Sequence, residues 1–163
     1  MNAIAQPAAA ALESRRDDVA GRLRGCLPAA AVLVSGEDLR PYECDGLSAY
    51  RQTPLVAALP ADEAEAAAVL RIARESGTPV VARGSGTGLS GGALPLADGI
   101  LLAMGKFNRI LGIDPLSRTA RVQPGVRNAQ ITEAVAPHGL YYAPDPSSQI
   151  ACSIGGNVAE NAG

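Results

Sequence analysis

The stretch that decides the fold is Arg83-Gly84-Ser85-Gly86-Thr87-Gly88-Leu89-Ser90-Gly91-Gly92, in which five glycines and three hydroxyl residues follow an apolar run. Glycine tolerates positive φ and allows the backbone to approach a ligand closely, so consecutive N–H groups in such a loop can converge on an anion. Flexible linkers of this composition are uncommon between two apolar strands, so the pattern favours a binding loop. A phosphate or pyrophosphate group is the expected ligand.

The segment before this loop predicts a β-α-β unit. Leu55 to Leu59 and Pro79 to Ala82 are strand-length apolar runs on either side of a helical pattern. Asp62 begins that helix, with a capping-box-like partner at Glu65, and Gly77 ends it. We therefore expect two parallel strands joined by a right-handed crossover.

The segment after the loop changes from parallel to antiparallel pairing. A third strand is predicted over Ile100 to Met104. Arg109 to Ile113 and Thr119 to Gln123 then predict a hairpin, because apolar residues recur on both sides of the turn-forming stretch Asp114 to Ser117. A small antiparallel sheet is expected here.

The last third of the chain combines one helix with a long loop. The helix is predicted over about Asn128 to Ala136, and the single histidine, His138, is interpreted as a cap near its end. The stretch from Pro144 to Gly156 is rich in Pro, Ser and Gly and is predicted as a loop that bends at Gly155-Gly156-Asn157.

Two regions are expected along the chain. Residues 1–53 predict an N-terminal helix over about Leu12 to Leu27, followed by an irregular lead-in that contains the short apolar run Val32 to Val34. Residues 54–163 predict the main domain. Nothing at Gly163 resembles a finished domain edge, so the sequence is interpreted as the N-terminal part of a longer protein.

Composition excludes several classes of partner. The 163 residues carry 14 basic and 16 acidic side chains, a net charge of −2, and only 3% are aromatic, so neither an electrostatic nor a stacking interaction with nucleic acid is expected. No apolar run is long enough to span a membrane, and the N-terminus lacks a secretory signal. Three dispersed cysteines indicate neither a disulfide framework nor a zinc site. A reducing, cytoplasmic location is the expectation.

The glycine loop does not fit the two best-known phosphate motifs. Gly86, Gly88 and Gly91 match G-x-G-x-x-G, but the Rossmann motif requires a helix after the last glycine, and here Pro95 precedes a strand. No Gly-Lys-Ser/Thr follows, so the loop is not a Walker A motif. The loop itself is expected to hold the phosphate. A Rossmann NAD enzyme remains an alternative that a helix directly after Gly91 would support.

Further motifs share this combination of proline, glycine and short polar side chains. They are Val122-Gln123-Pro124-Gly125-Val126, Pro144-Asp145-Pro146-Ser147-Ser148, and Ile154-Gly155-Gly156-Asn157-Val158-Ala159-Glu160-Asn161-Ala162-Gly163. Together with Val80 to Gly92, and in this order, they resemble the FAD-binding domain of vanillyl-alcohol-oxidase-type flavoproteins. Within that group the chain, from about Tyr42 to its end, is similar to the family of FAD-linked glycolate oxidase subunits and D-lactate dehydrogenases.

The resemblance implies an α+β, PCMH-type FAD-binding fold of two subdomains with FAD between them. The first subdomain would be a small parallel β-α-β sheet, and the second would be antiparallel and incomplete in this sequence. The residues implied to bind FAD are Arg83, Gly84, Ser85, Gly86, Thr87, Gly88, Ser90, Gly91, Pro144, Asp145, Ser148, Ser153, Gly155, Gly156 and Asn157. Thr87 stands where some relatives attach the flavin to a histidine, so FAD is expected to bind non-covalently.

The implied reaction is hydride transfer from the α-carbon of a small 2-hydroxy acid, of the glycolate or D-lactate type, to the flavin. The resemblance places the catalytic residues beyond Gly163, so no catalytic residue and no metal site are expected here, and this chain alone is expected to be inactive. It also implies electron-accepting partner subunits, through which the protein would lie peripherally at the inner membrane. The alternative function is a stand-alone, non-catalytic nucleotide-binding module.

Overall fold

The computed structural model describes residues 5–144 and 146–161 and has an α+β architecture with two separate sheets. The strands are β1 (Val32–Leu33), β2 (Val56–Ala58), β3 (Val80–Arg83), β4 (Ile100–Ala103), β5 (Ile110–Asp114) and β6 (Thr119–Val122). The α-helices are α1 (Ala5–Arg24), α2 (Gly36–Leu39), α3 (Glu63–Ser76), α4 (Asn128–Val135) and α5 (Ile154–Glu160). Asp145, one of the predicted site residues, lies outside the described residues.

The first sheet has the strand order β1-β2-β4-β3. Strands β2 and β3 are both parallel to β4, which lies between them, so the predicted parallel β-α-β unit is confirmed with a third strand inserted. Strand β1 pairs antiparallel with β2 at the edge, with Val32 opposite Ala58. The lead-in segment therefore contributes a strand to the same sheet, which its short apolar run alone did not predict.

Both faces of this sheet are covered. On one face Val56, Ile100 and Leu102 belong to the core cluster that includes residues of α1 and α3, while on the other face Leu101 packs with Ala57 and Leu39. Every residue of β2 and β4 is buried. Burial on both faces explains why these strands are continuous apolar runs rather than alternating ones.

Helix α3 begins and ends where the sequence predicted. The Asp62 carboxylate accepts from the backbone N–H of Glu65 at 2.8 Å, and the Glu65 carboxylate accepts from the N–H of Ala61 at 2.8 Å. Gly77 ends the helix in the left-handed conformation, with φ of 62°. The guanidinium of Arg15 donates to the Gly77 carbonyl at 2.8 Å, which attaches α1 to the end of α3.

The second sheet is the predicted hairpin of β5 and β6, which pair antiparallel. Helix α4 follows it, and the chain then returns to the first unit. The junction of the two units lies before α4, where the β6–α4 segment contacts the β4–β5 connection and the N–H of Gly125 donates to the Phe107 carbonyl at 2.7 Å. A Cβ at Gly125 would lie 2.6 Å from the Met104 carbonyl oxygen, so only glycine permits this close approach.

The predicted turn at Gly155-Gly156-Asn157 is wrong, because these residues lie within helix α5. Two consecutive glycines suggested a bend, but Gly155 is needed because a larger residue would not fit against Pro124. A Cβ at Gly155 would lie 2.6 Å from the Pro124 Cβ, and the Gly155 N–H donates to the Pro124 carbonyl at 2.8 Å. The helix is therefore pressed against the chain that follows β6.

None of the helices in the described part of the chain is both long enough and apolar enough to cross a membrane. Helix α1 has 20 residues, but its second half, from Glu13 to Arg24, carries charged side chains. One face of α1 instead packs in the core of the first sheet, through Val19 and Leu23.

Candidate nucleotide-binding cleft

A cleft of about 310 Å³ lies where the loop after β3 faces helix α5 and the turn that precedes it. This volume is at the small end of the range of about 300–1,000 Å³ for ligand pockets. The glycine loop thus forms one wall of the cleft, and residues 146–160 form the other wall. The cleft is lined by Ala82, Gly84, Ser85, Gly86, Thr87, Gly88, Gly92, Ala93, Pro146, Ser148, Ser153, Gly156, Asn157, Ala159 and Glu160.

The glycine loop presents unused backbone donors at this cleft. Within residues 5–144 and 146–161, the N–H groups of Gly86, Thr87 and Gly88 have no hydrogen-bond acceptor. Gly86 has φ of 69°, a conformation that side-chain-bearing residues rarely adopt. Unsatisfied N–H groups next to one another in a glycine-rich loop are the donor pattern that binds phosphate.

Arg83 supports this loop from outside the cleft. Its side chain is buried, and its guanidinium donates to the Cys44 carbonyl at 2.7 Å and to the Ala93 carbonyl at 3.5 Å. The guanidinium also lies over the Tyr42 ring, 5.8 Å from the centroid, and a Cβ at Gly86 would collide with it. Because side chains alternate along β3, Ala82 lines the cleft and Arg83 does not.

The lead-in segment also packs against this loop. A Cβ at Gly46 would lie 2.6 Å from the Thr87 carbonyl oxygen and 2.8 Å from that of Gly88. The preceding residue, Asp45, is buried, and its carboxylate accepts from the N–H of Leu47 at 2.9 Å. Two loop carbonyls therefore face a segment that does not line the cleft, and only a glycine at position 46 permits this approach.

The opposite wall is joined directly to the glycine loop. The buried Ser153 hydroxyl accepts from the N–H of Ser85 at 3.3 Å, and a Cβ at Gly84 would collide with that hydroxyl. Asn157, also buried, follows one turn later in α5, and its N–H donates to the Ser153 carbonyl at 3.1 Å. These contacts place hydroxyl and amide groups of the two walls within the same small volume.

The charge of the cleft is unusual for an anion site. Among the described lining residues the only charged side chain is Glu160. Its carboxylate lies against Gly88, so that a Cβ there would collide with it, and a Cβ at Gly92 would lie 3.4 Å from Oε1. Attraction for a phosphate must therefore come from backbone and hydroxyl dipoles, together with the buried Arg83 behind the loop.

The structure brings most of the predicted site residues together and leaves others outside the lining. Those at the cleft are Gly84, Ser85, Gly86, Thr87, Gly88, Ser148, Ser153, Gly156 and Asn157. Those that do not line it are Arg83, Ser90, Gly91, Pro144 and Gly155. Gly91 has φ of 75° and forms a turn with Leu94, whereas Gly155 packs against Pro124.

Sequence reasoning missed several lining residues. They are Ala82, Gly92, Ala93, Pro146, Ala159 and Glu160. Gly92 and Ala93 continue the predicted loop, and Pro146 belongs to a recognised motif, so extending each motif by a residue or two would have included them. Glu160 carried no such signal, because its position in the cleft depends on α5 being a helix.

No group of three or more metal-ligating side chains occurs in the part of the chain that the structure describes. His138 is exposed and ends a short 3₁₀ turn over Ala136–His138, before Gly139 in the left-handed conformation. Its position at a helix end agrees with the interpretation as a terminal residue, and it does not line the cleft.

The fold and the glycine-lined cleft together define a nucleotide-binding module of the α+β class. The family model described as FAD binding domain matches residues 54–163. The chain therefore belongs to the family of FAD-binding domains, and FAD is its cofactor.

Two relatives and one solved structure extend this result. The chain is 60% identical over 148 residues to the glycolate oxidase subunit GlcD of Escherichia coli strain K12, covering 91% of this chain and 30% of that protein. It is 35% identical over 133 residues to a D-lactate dehydrogenase of Anaerostipes hadrus, covering 81% of this chain and 28% of that protein. The chain thus spans less than a third of the length of these relatives.

The structural similarity concerns the fold alone. The structure of p-cresol methylhydroxylase with substrate bound superposes with a TM-score of 0.75 at 22% identity, over 89% of this chain and 29% of that one. The PCMH-type α+β fold predicted from the sequence is confirmed by this match. No helix opens directly after Gly91, so the Rossmann alternative is not supported.

Proposed function

We propose that the chain is the FAD-binding part of a flavin-dependent oxidoreductase that oxidises a small 2-hydroxy acid of the glycolate or D-lactate type. The observation that carries the proposal is the row of unused N–H groups from Gly86 to Gly88 at a cleft of this family. The similarity to GlcD and to a D-lactate dehydrogenase supports the choice of substrate class.

The residues present fit the pyrophosphate part of FAD. The N–H groups of the glycine loop and the hydroxyls of Ser85, Thr87 and Ser148 are donors, and phosphate oxygens are acceptors. The small volume suits the pyrophosphate and an adjoining sugar rather than the whole dinucleotide. We further propose that Ser153, Gly156 and Asn157 bind the same ligand from the opposite wall, and that FAD is held without a covalent bond.

Bound FAD would supply the acceptor for the hydride that leaves the α-carbon. The cleft residues would hold and orient the cofactor, because their lining contains no cation to bind a substrate carboxylate. Substrate-binding and proton-accepting groups are therefore proposed to lie in other parts of the whole protein. The relative GlcD is named a glycolate oxidase subunit, which supports a partner subunit. We further propose that partner subunits accept the electrons and that the protein lies peripherally at the inner membrane through them.

The experiment is to purify the intact protein and record its visible absorption spectrum before and after acid precipitation. Flavin bands that move entirely to the supernatant are expected for non-covalent FAD. Anaerobic addition of glycolate or D-lactate should then bleach the bands in untreated protein. Flavin retained in the precipitate would contradict the non-covalent assignment, and unbleached flavin with both acids would contradict the substrate class.

The variant Gly86→Val tests the glycine loop itself. We expect it to abolish FAD binding in the intact protein, because valine resists φ of 69° and its side chain would collide with the Arg83 guanidinium. Gly91→Ala is the matched control, since Gly91 also has positive φ but nothing within 4 Å of an added Cβ. Unchanged flavin content in Gly86→Val would refute the loop assignment.

A further inference from the structure

Glu160 is the charged side chain among the described lining residues of the cleft, and the proposed function does not use its carboxylate. It ends helix α5, and its side chain extends to the glycine loop, where both carboxylate oxygens lie next to Gly88. The neighbouring wall is made of donors, namely loop N–H groups and hydroxyls. A carboxylate at neutral pH can only accept hydrogen bonds, so Glu160 is complementary to a different part of a ligand.

The placement of this acceptor relative to the donors is specific. The unused N–H groups are those of Gly86, Thr87 and Gly88, and the Glu160 carboxylate lies at the Gly88 end of that row. A Cβ added at Gly92 would lie 3.4 Å from Oε1 of Glu160. A ligand that fills the cleft along the loop therefore meets donors first and an acceptor immediately beyond them.

A dinucleotide carries the complementary groups, with acceptors opposite the donors of the loop and donors opposite the carboxylate. Its pyrophosphate offers only acceptor oxygens, and on either side of the pyrophosphate a sugar carries hydroxyl groups that donate. A carboxylate that accepts from a sugar hydroxyl beside a glycine-rich phosphate loop is a known solution in dinucleotide-binding sites of a different fold. The same hydrogen bond is possible here, with the carboxylate supplied by Glu160 at the end of α5.

We propose that the Glu160 carboxylate accepts a hydrogen bond from a sugar hydroxyl of bound FAD, adjacent to the pyrophosphate. The assignment rests on the proposed function, because it takes FAD as the ligand of this cleft. Glu160 then selects for a ligand that places a hydroxyl, rather than a further phosphate, at the Gly88 end of the loop.

Charge repulsion between Glu160 and the pyrophosphate would have the opposite effect on binding. A carboxylate close to a pyrophosphate repels it, which weakens binding roughly five-fold per pair of charges 4 Å apart in water and more where water is excluded. If Glu160 made no hydrogen bond to the ligand, removing its charge would strengthen binding. The two cases therefore predict opposite signs for the same substitution.

The experiment measures the affinity of the flavin-free intact protein for FAD by fluorescence quenching, in wild type, Glu160→Gln and Glu160→Ala. A hydrogen bond to a charged group contributes about 1.5–3 kcal/mol, so Glu160→Ala should weaken FAD binding about 10- to 150-fold. Glu160→Gln should weaken it less, because the amide oxygen still accepts. Glu133→Ala, at an exposed helical acid that does not line the cleft, is the matched control and should leave the affinity unchanged.

Competition with ADP and with FMN identifies which sugar is bound. Loss of affinity for ADP alone in Glu160→Ala indicates the ribose, and loss for FMN alone indicates the ribityl chain; either result supports the proposal. Equal or tighter FAD binding by both Glu160 variants overturns it. If wild type itself binds no FAD, the proposed function fails, and that result is distinct from a failure at Glu160.

Discussion

The two sheets of this molecule differ in how completely they are covered. In the four-stranded sheet every residue of β2 and β4 is buried, with helices α1 and α3 on one face and the lead-in segment on the other. In the two-stranded sheet no residue of β5 or β6 is fully buried. The first sheet therefore supplies the hydrophobic core of the described residues, whereas the second sheet contributes no fully buried residue to it.

The cleft lies at the boundary between these two regions. Its first wall follows β3 of the buried sheet, while its second wall follows the exposed hairpin and helix α4. A loop that leaves a well-packed strand begins from a fixed position, which suits a phosphate-binding backbone. The second wall depends instead on a few contacts with the first, including the hydrogen bond from Ser85 to Ser153.

The largest effect on stability is expected for a substitution in the core of the first sheet. Leu101→Ala in β4 should lower the free energy of unfolding by about 2–5 kcal/mol, because the Leu101 side chain is fully buried against Ala57 and Leu39. Leu111→Ala in β5, where the side chain is 45% exposed, should change it by less than about 0.5 kcal/mol. Urea denaturation of both variants measures the difference, and equal losses would contradict the contrast between the sheets.

The next effect concerns the junction of the two regions. Gly125→Ala should destabilise the protein by about 1–3 kcal/mol, because the added methyl would meet the carbonyl oxygens of Met104 and Phe107 at 2.6 and 2.7 Å, and backbone cannot rotate away. FAD affinity should fall as well, since the second wall shifts. Gly105→Ala is the control, because Gly105 lies in the β4–β5 connection that Gly125 contacts but has open space around an added Cβ. Equal thermal midpoints for the two variants would show that the junction is not tight.

The local elements of the first region were predictable from the sequence because local chemistry determines them. Asp62, Glu65 and Gly77 gave both ends of α3, and the apolar runs gave β2 and β4. What could not be predicted is the strand order, in which β4 inserts between β2 and β3, because that depends on contacts between distant segments. The two residues of β1 were too few to predict an edge strand.

The cleft was predicted better through its first wall than through its second. The glycine loop holds Gly86 and Gly91, which have positive φ, and Gly88, whose N–H is unused, so composition alone reveals this wall. In α5 the glycines serve close packing, as Gly155 does against Pro124, so the same composition predicted a turn that does not exist. The error also concealed Glu160, whose contact with the loop at Gly88 follows only from the helical geometry.

The smallest effect on stability is expected at the turn of the exposed hairpin, at Asp114. Asp114 accepts from the Ser117 hydroxyl at 2.7 Å and from the N–H groups of Ser117 and Leu116 at 3.2 and 3.0 Å. These hydrogen bonds, above all that from the Ser117 side chain, lower the pKa of Asp114 below its usual 3.8. The carboxylate is therefore favoured in the folded state, so its contribution to stability is present above pH 3.8 and is lost as the pH falls through the lowered pKa.

Replacement of Asp114 by asparagine should therefore lower the denaturation midpoint slightly at neutral pH and have no effect at acid pH. Asp98→Asn, at another exposed aspartate, is the control for the loss of one negative charge. Midpoints of both variants and wild type measured from pH 7 to pH 2 give the result. A difference for Asp114→Asn that grows toward low pH would contradict the lowered pKa. Because the turn is fully exposed, the effect should also be far smaller than that of Leu101→Ala, as expected if the hairpin contributes little to the core.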